Sequence, residues 1–491
     1  MNIDFGSHGQ VVRALGLGVG AQAAGKCVHL ALNIVVSLAL IRYLGPRGYG
    51  DYIFALTFAG LVGLLSDLGL SKVAVREMAR DDDGRAALLG TSVAARLALA
   101  VGALLLGQGL LWLAGADLAI HAAVAVASLL NLVDALLSIA AVFQVNIAMH
   151  YDAIVSVTVQ AVDTVLVLAF IWRGLGLVPL IAAPVISGLI GFLLAVVIAS
   201  GRFQARASVD LRRLPELLVD GLPIGLALIC AYTYLKFDAV LLALLRDRVE
   251  VGIYGAAYRP VEYLLLASTV VITALFPLLS RWHANDERRF RLVYQRGAES
   301  LLALSLPVPV LLVFVAPPLV ALAYTGGFAA AALPLQMLGV ALVLMVFNAW
   351  QAFTLMAANR QRLALAYDAA AVGVNVGLNL ALIPRFGYMG AATSALATAC
   401  FITICGSVAV SRMLQIGLAP SRMSRLLAAN ALLAVALWLL TALAAPWWVA
   451  VVAAALVYPP FLLLTGVTNL GELKLFVPRR RPLAVSAVRA S

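Results

Sequence analysis

Long apolar stretches, separated by short polar connections, run along almost the whole chain. A helix that crosses a hydrocarbon core of about 30 Å needs about 20 mostly apolar residues. This criterion predicts fourteen membrane-spanning helices, with twelve as the alternative count. Their approximate limits are 18–41, 52–71, 87–113, 118–142, 153–172, 177–200, 219–245, 253–280, 297–322, 330–357, 364–383, 388–410, 425–444 and 447–466. The pattern therefore predicts an all-α polytopic membrane protein.

Composition excludes a soluble protein. Hydrophobic residues make up 64% of the chain and charged residues 12%, with a mean hydropathy of +1.03. A soluble domain has about 45–50% apolar and about 25% charged residues. The same values exclude a disordered low-complexity chain. All four cysteines lie inside apolar stretches, so we expect neither a disulfide framework nor a zinc site.

The distribution of basic residues predicts the orientation. If the N-terminus is cytoplasmic, 24 of the 34 Lys and Arg residues fall on the cytoplasmic side, six on the opposite side and four inside spans. Cytoplasmic connections of membrane proteins carry an excess of Lys and Arg. Both termini are therefore predicted to be cytoplasmic. The net charge of +11 then reflects topology, and no nucleic-acid partner is expected.

Two segments, 44–83 and 249–288, match each other at an offset of 205 residues. The matching pairs are Tyr49-Gly50 with Tyr254-Gly255, Arg76 with Arg281, and Asp81 with Asp286. The offset covers six spans, so both copies have the same orientation, as in parallel-repeat transporters. Chance is the alternative, because such residues are common at span ends. The repeat predicts two six-helix lobes with pseudo-two-fold symmetry, at 1–205 and 206–415, followed by two helices and a basic tail at 416–491.

Several charged residues lie inside the predicted spans, where each costs about 2.5–3.5 kcal/mol on insertion scales. The cations are Lys26, Arg96, Lys236 and Arg259. The anions include Asp67, Asp134, Asp163, Asp238, Glu262 and Asp368. Such side chains are expected to face the bundle interior or a wet cavity. At 1.5 Å per residue the cations lie at different depths, which suits an anionic group that is handed across the membrane.

Helical spacing places polar residues on three continuous faces. The faces are Gln22, Lys26, His29, Asn33 and Ser37 in the first span, Tyr254, Tyr258, Glu262, Thr269 and Thr273 in the eighth, and Asp368, Asn375 and Asn379 in the eleventh. Under two-fold symmetry these faces can converge on a central cavity. The alternative is that the charges are structural. Arg259 and Glu262, three residues apart, can neutralise each other, and Lys236 and Asp238 can each pair with a neighbouring span.

Other polar residues have simpler interpretations. For His29 a hydrogen-bonding role is favoured over titration. Tyr49, Tyr52, Trp447 and Trp448 stand at span ends, where aromatic residues commonly anchor a helix in the membrane interface.

Three segments together resemble bacterial polysaccharide flippases. They are ALIRYLGPRGYGDYIFALTFAGLVGLLSDLGLSKVAVREMARD (39–81), VGIYGAAYRPVEYLLLASTVVITALFPLLSR (251–281) and IPRFGYMGAATSALAT (383–398). Each is similar to the Wzx-type O-antigen and exopolysaccharide flippases of the multidrug/oligosaccharidyl-lipid/polysaccharide (MOP) exporter superfamily. The resemblance extends from about residue 10 to 470. It implies two six-helix lobes plus two helices, and transport of a polyprenyl-diphosphate-linked oligosaccharide from the cytoplasmic to the periplasmic leaflet of a bacterial inner membrane.

The resemblance also implies a cationic central cavity, which Lys26, Arg259 and Lys236 would supply; Arg96 joins them only as an intramembrane cation. Arginine binds phosphate oxygens bidentately, and amide and hydroxyl groups suit a glycan. The expected glycan-facing residues are Gln22, His29, Asn33, Tyr258, Asn375 and Asn379. No ATP site is visible, so coupling to an H⁺ or Na⁺ gradient through Asp67, Asp238 or Glu262 is the hypothesis. No cofactor or metal is expected, and the polysaccharide polymerase and other assembly proteins are expected partners.

Two other functions stay open from the sequence. A drug or cation antiporter of the same superfamily would favour acidic over basic cavity residues, and this chain has both. A membrane-embedded glycan ligase or polymerase would carry a sizeable loop with catalytic acids or bases. No connection here reaches about 20 residues, and the sequence predicts a transporter rather than an enzyme.

Overall fold

The computed structural model describes residues 8–324 and 326–465, with side chains from residue 25 onward except at 231, 234 and 284. The basic tail of the predicted third region lies mostly outside the described residues. Within them the chain forms sixteen α-helices. They are α1 His8–Gly63, α2 Leu70–Met78, α3 Arg85–Leu113, α4 Leu118–Leu137, α5 Ala141–Val145, α6 Met149–Trp172, α7 Leu177–Phe203, α8 Leu214–Leu245, α9 Arg248–Asn285, α10 Glu287–Ser305, α11 Pro307–Ala323, α12 Ala332–Ala357, α13 Gln361–Phe386, α14 Tyr388–Leu414, α15 Pro420–Ala442 and α16 Trp447–Leu464.

Helix α1 is broken at Gly45, whose φ of 65° is readily adopted only by glycine. His29 and Asp67 lie on either side of this break and line one cavity of about 410 Å³. A straight helix would hold two residues 38 positions apart about 57 Å from each other. The chain therefore doubles back at Gly45, and α1 consists of two antiparallel arms that correspond to the first two predicted spans.

In the described part of the chain, twelve helices are long and apolar enough to cross a membrane, or thirteen if the bent helix α8 counts as one span. The two arms of α1 are one helix in that count. Counting the arms separately gives the fourteen spans predicted from the sequence. The all-helical membrane architecture is confirmed, while the number of spans and the side of the termini stay predictions.

The connections lie at two faces of the bundle. We call the face with the connections at 64–84, 204–213, 286, 358–360 and 415–419 the basic face, and the other, which holds Gly45, the opposite face. On the basic face Arg76 pairs with Asp220 of α8. Arg213 donates to Asp81 over 3.0 Å, and this hydrogen bond lowers the pKa of the Asp81 carboxyl. These contacts hold the α7–α8 connection against α2.

Helices α15 and α16 form a separate apolar cluster that packs on α11. Asn430 of α15 donates to the Tyr458 hydroxyl of α16 over 3.1 Å. The largest cluster runs through both predicted lobes, includes the buried indole of Trp350, and reaches α15 through Leu426. The last two helices therefore lie beside the main bundle.

The second arm of α1 crosses the start of α9 at a pair of glycines on the opposite face. A Cβ atom on Gly50 would overlap the Arg248 carbonyl, and a Cβ on Gly252 would overlap the Pro46 carbonyl. The contact is reciprocal, because each glycine lies against the carbonyl four residues before the other glycine. The two-lobe repeat expected from the sequence stays a prediction.

Candidate functional site

Three cavities adjoin one another inside the described part of the bundle. The basic-end cavity, of about 410 Å³, lies beside α2 and the start of α6. The central cavity, of about 460 Å³, lies between α1, α4, α6 and α7 and extends to Arg259 of α9. The third, of about 230 Å³, lies between the second arm of α1, α8 and α9, and we call it the α8–α9 cavity. His29 and Asp134 line both the first and the second, and Arg259 lines both the second and the third.

Arg259, at the junction of the central and α8–α9 cavities, belongs to a charge cluster with Lys236 and Glu262, and Asp238 lines the same α8–α9 cavity. Its Nη1 lies 3.0 Å from Oε2 of Glu262, and its Nε donates to the Tyr49 hydroxyl over 3.2 Å. Lys236 of α8 pairs with the other oxygen of the same carboxylate. The pairing of Arg259 with Glu262 that the sequence left open is confirmed. Because two cations share one anion, Glu262 cannot neutralise both.

The polar residues around Lys236 are already engaged. Its ammonium group lies 5.4 Å from the centre of the Tyr258 ring, within the range of a cation–π contact. Asp238 is 3% exposed and accepts hydrogen bonds from the Tyr254 hydroxyl and, over 2.8 Å, from the backbone N–H of Ala239. As predicted, Lys236 and Asp238 pair with α9 rather than with each other.

Arg96 differs from Arg259 because two carboxylates surround it. Its side chain is 5% exposed, and its Nη2 lies 2.7 Å from Oδ2 of Asp134. Its Nε lies 3.0 Å from Oδ1 of Asp67, without the alignment of a hydrogen bond. Asp67 also accepts from the backbone N–H and the hydroxyl of Ser71, over 3.0 and 2.9 Å, and so caps the first turn of α2. Arg96 therefore has a structural role, because its contacts join α3 to α4 and to the start of α2.

Replacing Arg96 by alanine is expected to destabilise the protein by about 3 kcal/mol, since it leaves Asp67 beside a cavity without its cation. This value is at the low end of the destabilisation expected on breaking a buried ion pair, because the Asp134 side chain is 72% exposed. Thermal unfolding of the purified protein in detergent measures the change. Adding Asp67→Asn should recover part of the loss. An unfolding temperature equal to that of the wild type would contradict this role.

Two protein-family models match this chain and identify its family. Residues 16–283 match the model described as "Polysaccharide biosynthesis protein", which is more than half of the chain. The chain belongs to the polysaccharide biosynthesis protein family. Residues 264–458 also match the model described as "Lipid II flippase MurJ". The resemblance to Wzx-type flippases stated from the sequence is thereby confirmed for this family member.

Individual relatives agree with the family. A probable low-salt glycan biosynthesis flippase of Haloferax volcanii is 24% identical over 164 residues, which cover 33% of this chain and 35% of that protein. The chain thus matches about a third of that relative's length. The inward closed lipid II flippase MurJ superposes with a TM-score of 0.74 at 13% identity, over 90% of this chain and 97% of that one. An inward-facing multidrug resistance transporter of the MOP superfamily gives 0.66 at 18% identity, over 79% and 95%. Both structures establish the MOP fold.

Of the other residues predicted for the site of this polysaccharide biosynthesis protein, some line a cavity and others do not. His29 and Asn33 line the central cavity, and Tyr258 lines the α8–α9 cavity. Lys26 is exposed and lines none of the three cavities, and the Gln22 side chain lies outside the described residues.

Asn375 and Asn379 lie in the interface between α13 and α14, away from the three cavities. Both are fully buried, and the Asn379 amide donates to Oδ1 of Asn375 over 3.0 Å. Asn375 in turn donates to the Thr398 hydroxyl of α14 over 3.3 Å. Interhelical amide and hydroxyl contacts of this kind hold membrane helices together. Their glycan role stays a prediction, and their position favours packing.

Two tyrosines line the central cavity and a third contacts its lining, although the sequence analysis did not place them there. Tyr49 and Tyr52 are buried and line it, so the expectation that they anchor the membrane interface is wrong. Tyr263 donates to Oδ1 of Asn33 over 2.9 Å and contacts Ser37, which joins α9 to the first arm of α1. The interfacial prediction failed for Tyr49 and Tyr52 because the turn of α1 at Gly45 lies buried under α11 and α9. Tyr263 was missed because it lies one residue beyond the helix face traced through Glu262.

Proposed function

We propose that the protein flips polyprenyl-diphosphate-linked oligosaccharide repeat units from the cytoplasmic to the periplasmic leaflet of a bacterial inner membrane. The product would serve the synthesis of O-antigen, capsule or exopolysaccharide. The observation that carries the proposal is the cluster of Arg259, Lys236 and Glu262, which places a guanidinium and an ammonium group on one shared carboxylate between two cavities. A diphosphate needs compensating charge in a low-dielectric region, and a guanidinium supplies it with two parallel donors.

The cavities offer room and polar partners for the glycan. The central cavity, of about 460 Å³, falls within the range of about 300–1,000 Å³ that is usual for ligand sites. His29, Asn33, Gln160 and Ser187 present ring nitrogen, amide and hydroxyl groups to it. The polyprenyl tail can stay in the lipid while the head group occupies the bundle. This division matches a substrate that is apolar at one end and polar at the other.

Contacts on the opposite face support loading from the basic face. Arg42 donates to the carbonyls of Leu322 and Ala323, over 2.6 and 2.8 Å, at the end of α11. Asp51 lies 3.6 Å from Arg248, across the crossing of α1 and α9. The basic-end cavity, of about 410 Å³, lies next to α2 on the basic face. Rocking of the two halves would then expose the cavities to each side in turn.

Removing the protein from its host is expected to leave complete lipid-linked repeat units in the inner leaflet. The measurement is extraction and mass analysis of the lipid-linked glycans, together with a leaflet-specific lectin or hydrolase. The wild-type gene should restore the normal distribution. An incomplete glycan would contradict the proposal and favour an enzyme. A complete glycan already in the outer leaflet would also contradict it.

A drug antiporter with the same fold is the second candidate, and the multidrug transporter that superposes on this chain is the observation that favours it. The charge cluster argues against a cationic drug, because Glu262 already pairs with both Lys236 and Arg259 and is not free to bind another cation. Loss of resistance to cationic dyes, with normal glycan distribution, would favour the antiporter.

A further inference from the structure

Asp163 of α6 is a carboxylate that the proposed transport mechanism does not use. It lines the central cavity, the same cavity that Arg259 lines from α9. Its Oδ1 is buried and has no hydrogen-bond partner, and no cation lies within ion-pair distance in the described part of the chain. The residue as a whole is half-buried. An ionised carboxylate with a buried, unpartnered oxygen is costly, and binding a proton removes that cost.

The three carboxylates that the sequence suggested for ion coupling have other partners. Asp67 caps α2 and contacts Arg96, and Glu262 binds both Lys236 and Arg259. Asp238 accepts from a tyrosine hydroxyl and a backbone amide. Protonating any of them would break an existing contact. Asp163 has none to break.

Few other charged or titratable groups face Asp163 across the cavity. Helix α1 contributes His29, Tyr49 and Tyr52, α4 contributes Asp134, and α9 contributes Arg259, while the α7 lining is uncharged. Asp134 is paired with Arg96, and Arg259 with Glu262. His29 is therefore the other group in this cavity that could change charge near neutral pH.

We propose that Asp163 is a proton-binding site whose occupancy controls anion binding in the central cavity. The inference rests on the proposed function. An ionised Asp163 opposes the positive field of Arg259 and repels a diphosphate, whereas the protonated acid does neither. Proton and anion therefore bind with positive cooperativity, so acidification tightens anion binding. A proton antiporter in which the two ligands compete would show the opposite sign.

The test uses the full-length protein in lipid nanodiscs with farnesyl diphosphate as the probe. Its dissociation constant is measured from pH 5 to pH 8 for the wild type and for Asp163→Asn, which imitates the protonated acid. At pH 8 the variant should bind roughly tenfold more tightly than the wild type, as expected for one charge acting across a cavity. At pH 5 the two should agree. Ionisation of the probe affects both proteins equally and cancels in the ratio of the two constants.

Two controls separate Asp163 from its surroundings. Asp368→Asn removes another intramembrane aspartate, on α13, that lines none of the three cavities, and it should keep the wild-type pH profile. His29→Gln should also keep the difference between wild type and Asp163→Asn. If His29→Gln abolishes the pH dependence instead, the site is the imidazole and the proposal is overturned.

A second measurement does not depend on anion binding. Infrared difference spectra of the wild type should contain a protonated carboxyl band that titrates and that is missing in Asp163→Asn. An unchanged band, or an Asp163→Asn profile that follows the wild type at every pH, would overturn the inference. If the infrared band behaves as expected but no farnesyl diphosphate binds at any pH, the proton site stands and its control of anion binding fails, while the proposed function is judged separately by the leaflet distribution of the glycan.

Discussion

Replacing Arg259 by alanine is expected to abolish flipping while the protein still inserts and folds. Arg259 lines both the central and the α8–α9 cavities, and it supplies the guanidinium donors of its cluster. Without it, Glu262 and Lys236 pair with each other and no guanidinium faces the diphosphate. A hydrogen bond to a charged group contributes about 1.5–3 kcal/mol, so affinity should fall by about 10- to 150-fold.

The matched variant is Arg259→Lys. Lysine keeps the charge but loses the planar pair of donors, so partial function is expected. Glycan in the outer leaflet is measured in cells, and binding of a polyprenyl diphosphate is measured with the purified protein. Normal outer-leaflet glycan in Arg259→Ala would contradict the proposed role of the cluster.

Lys26→Ala is expected to abolish flipping as well, on the basis of the family resemblance. Lys26 is exposed and lies outside the three cavities. A full loss of transport in Arg259→Ala together with normal transport in Lys26→Ala would place the diphosphate site at Arg259, between the central and α8–α9 cavities, and not at Lys26.

Substituting Gly50 or Gly252 by alanine is expected to have the largest effect on the conformation. At both positions the new Cβ would overlap a backbone carbonyl of the other helix, and neither carbonyl can rotate away as a side chain can. The crossing on the opposite face must therefore open. Overpacking at a tight contact costs about 3 kcal/mol or more when the backbone has to move.

The readouts are the unfolding temperature in detergent and the reactivity of a cysteine placed in the central cavity toward a membrane-impermeant reagent from the outside. Both variants should unfold at lower temperature and label faster from the outside. Gly102→Ala is the matched control, because a Cβ at Gly102 of α3 meets no atom within 4 Å. Wild-type stability and labelling in both Gly50→Ala and Gly252→Ala would show that this crossing does not hold the opposite face closed.

Residues of the candidate site were predicted from the sequence with uneven success. Periodicity identified the face of α9 that carries Tyr258 and Glu262, and the spacing rule correctly paired Glu262 with Arg259. The same rule grouped Asn375 and Asn379 with the cavity, whereas the structure packs them against α14. Periodicity specifies which residues share a helix face. It carries no information about whether that face meets a neighbouring helix or an open space.

The sequence by itself determined the class of molecule, because a chain with 12% charged residues cannot form a water-solvated surface and its stretches of about 20 apolar residues match the bilayer. It also determined which charges are costly, and its motifs identified the family. Only the tertiary structure decided their tasks. Arg96 and Arg259 look alike in sequence, yet one is held by two carboxylates and the other shares one with Lys236. The physical reason is that the net charge at a buried site is set by partners on other helices, which chain spacing does not encode.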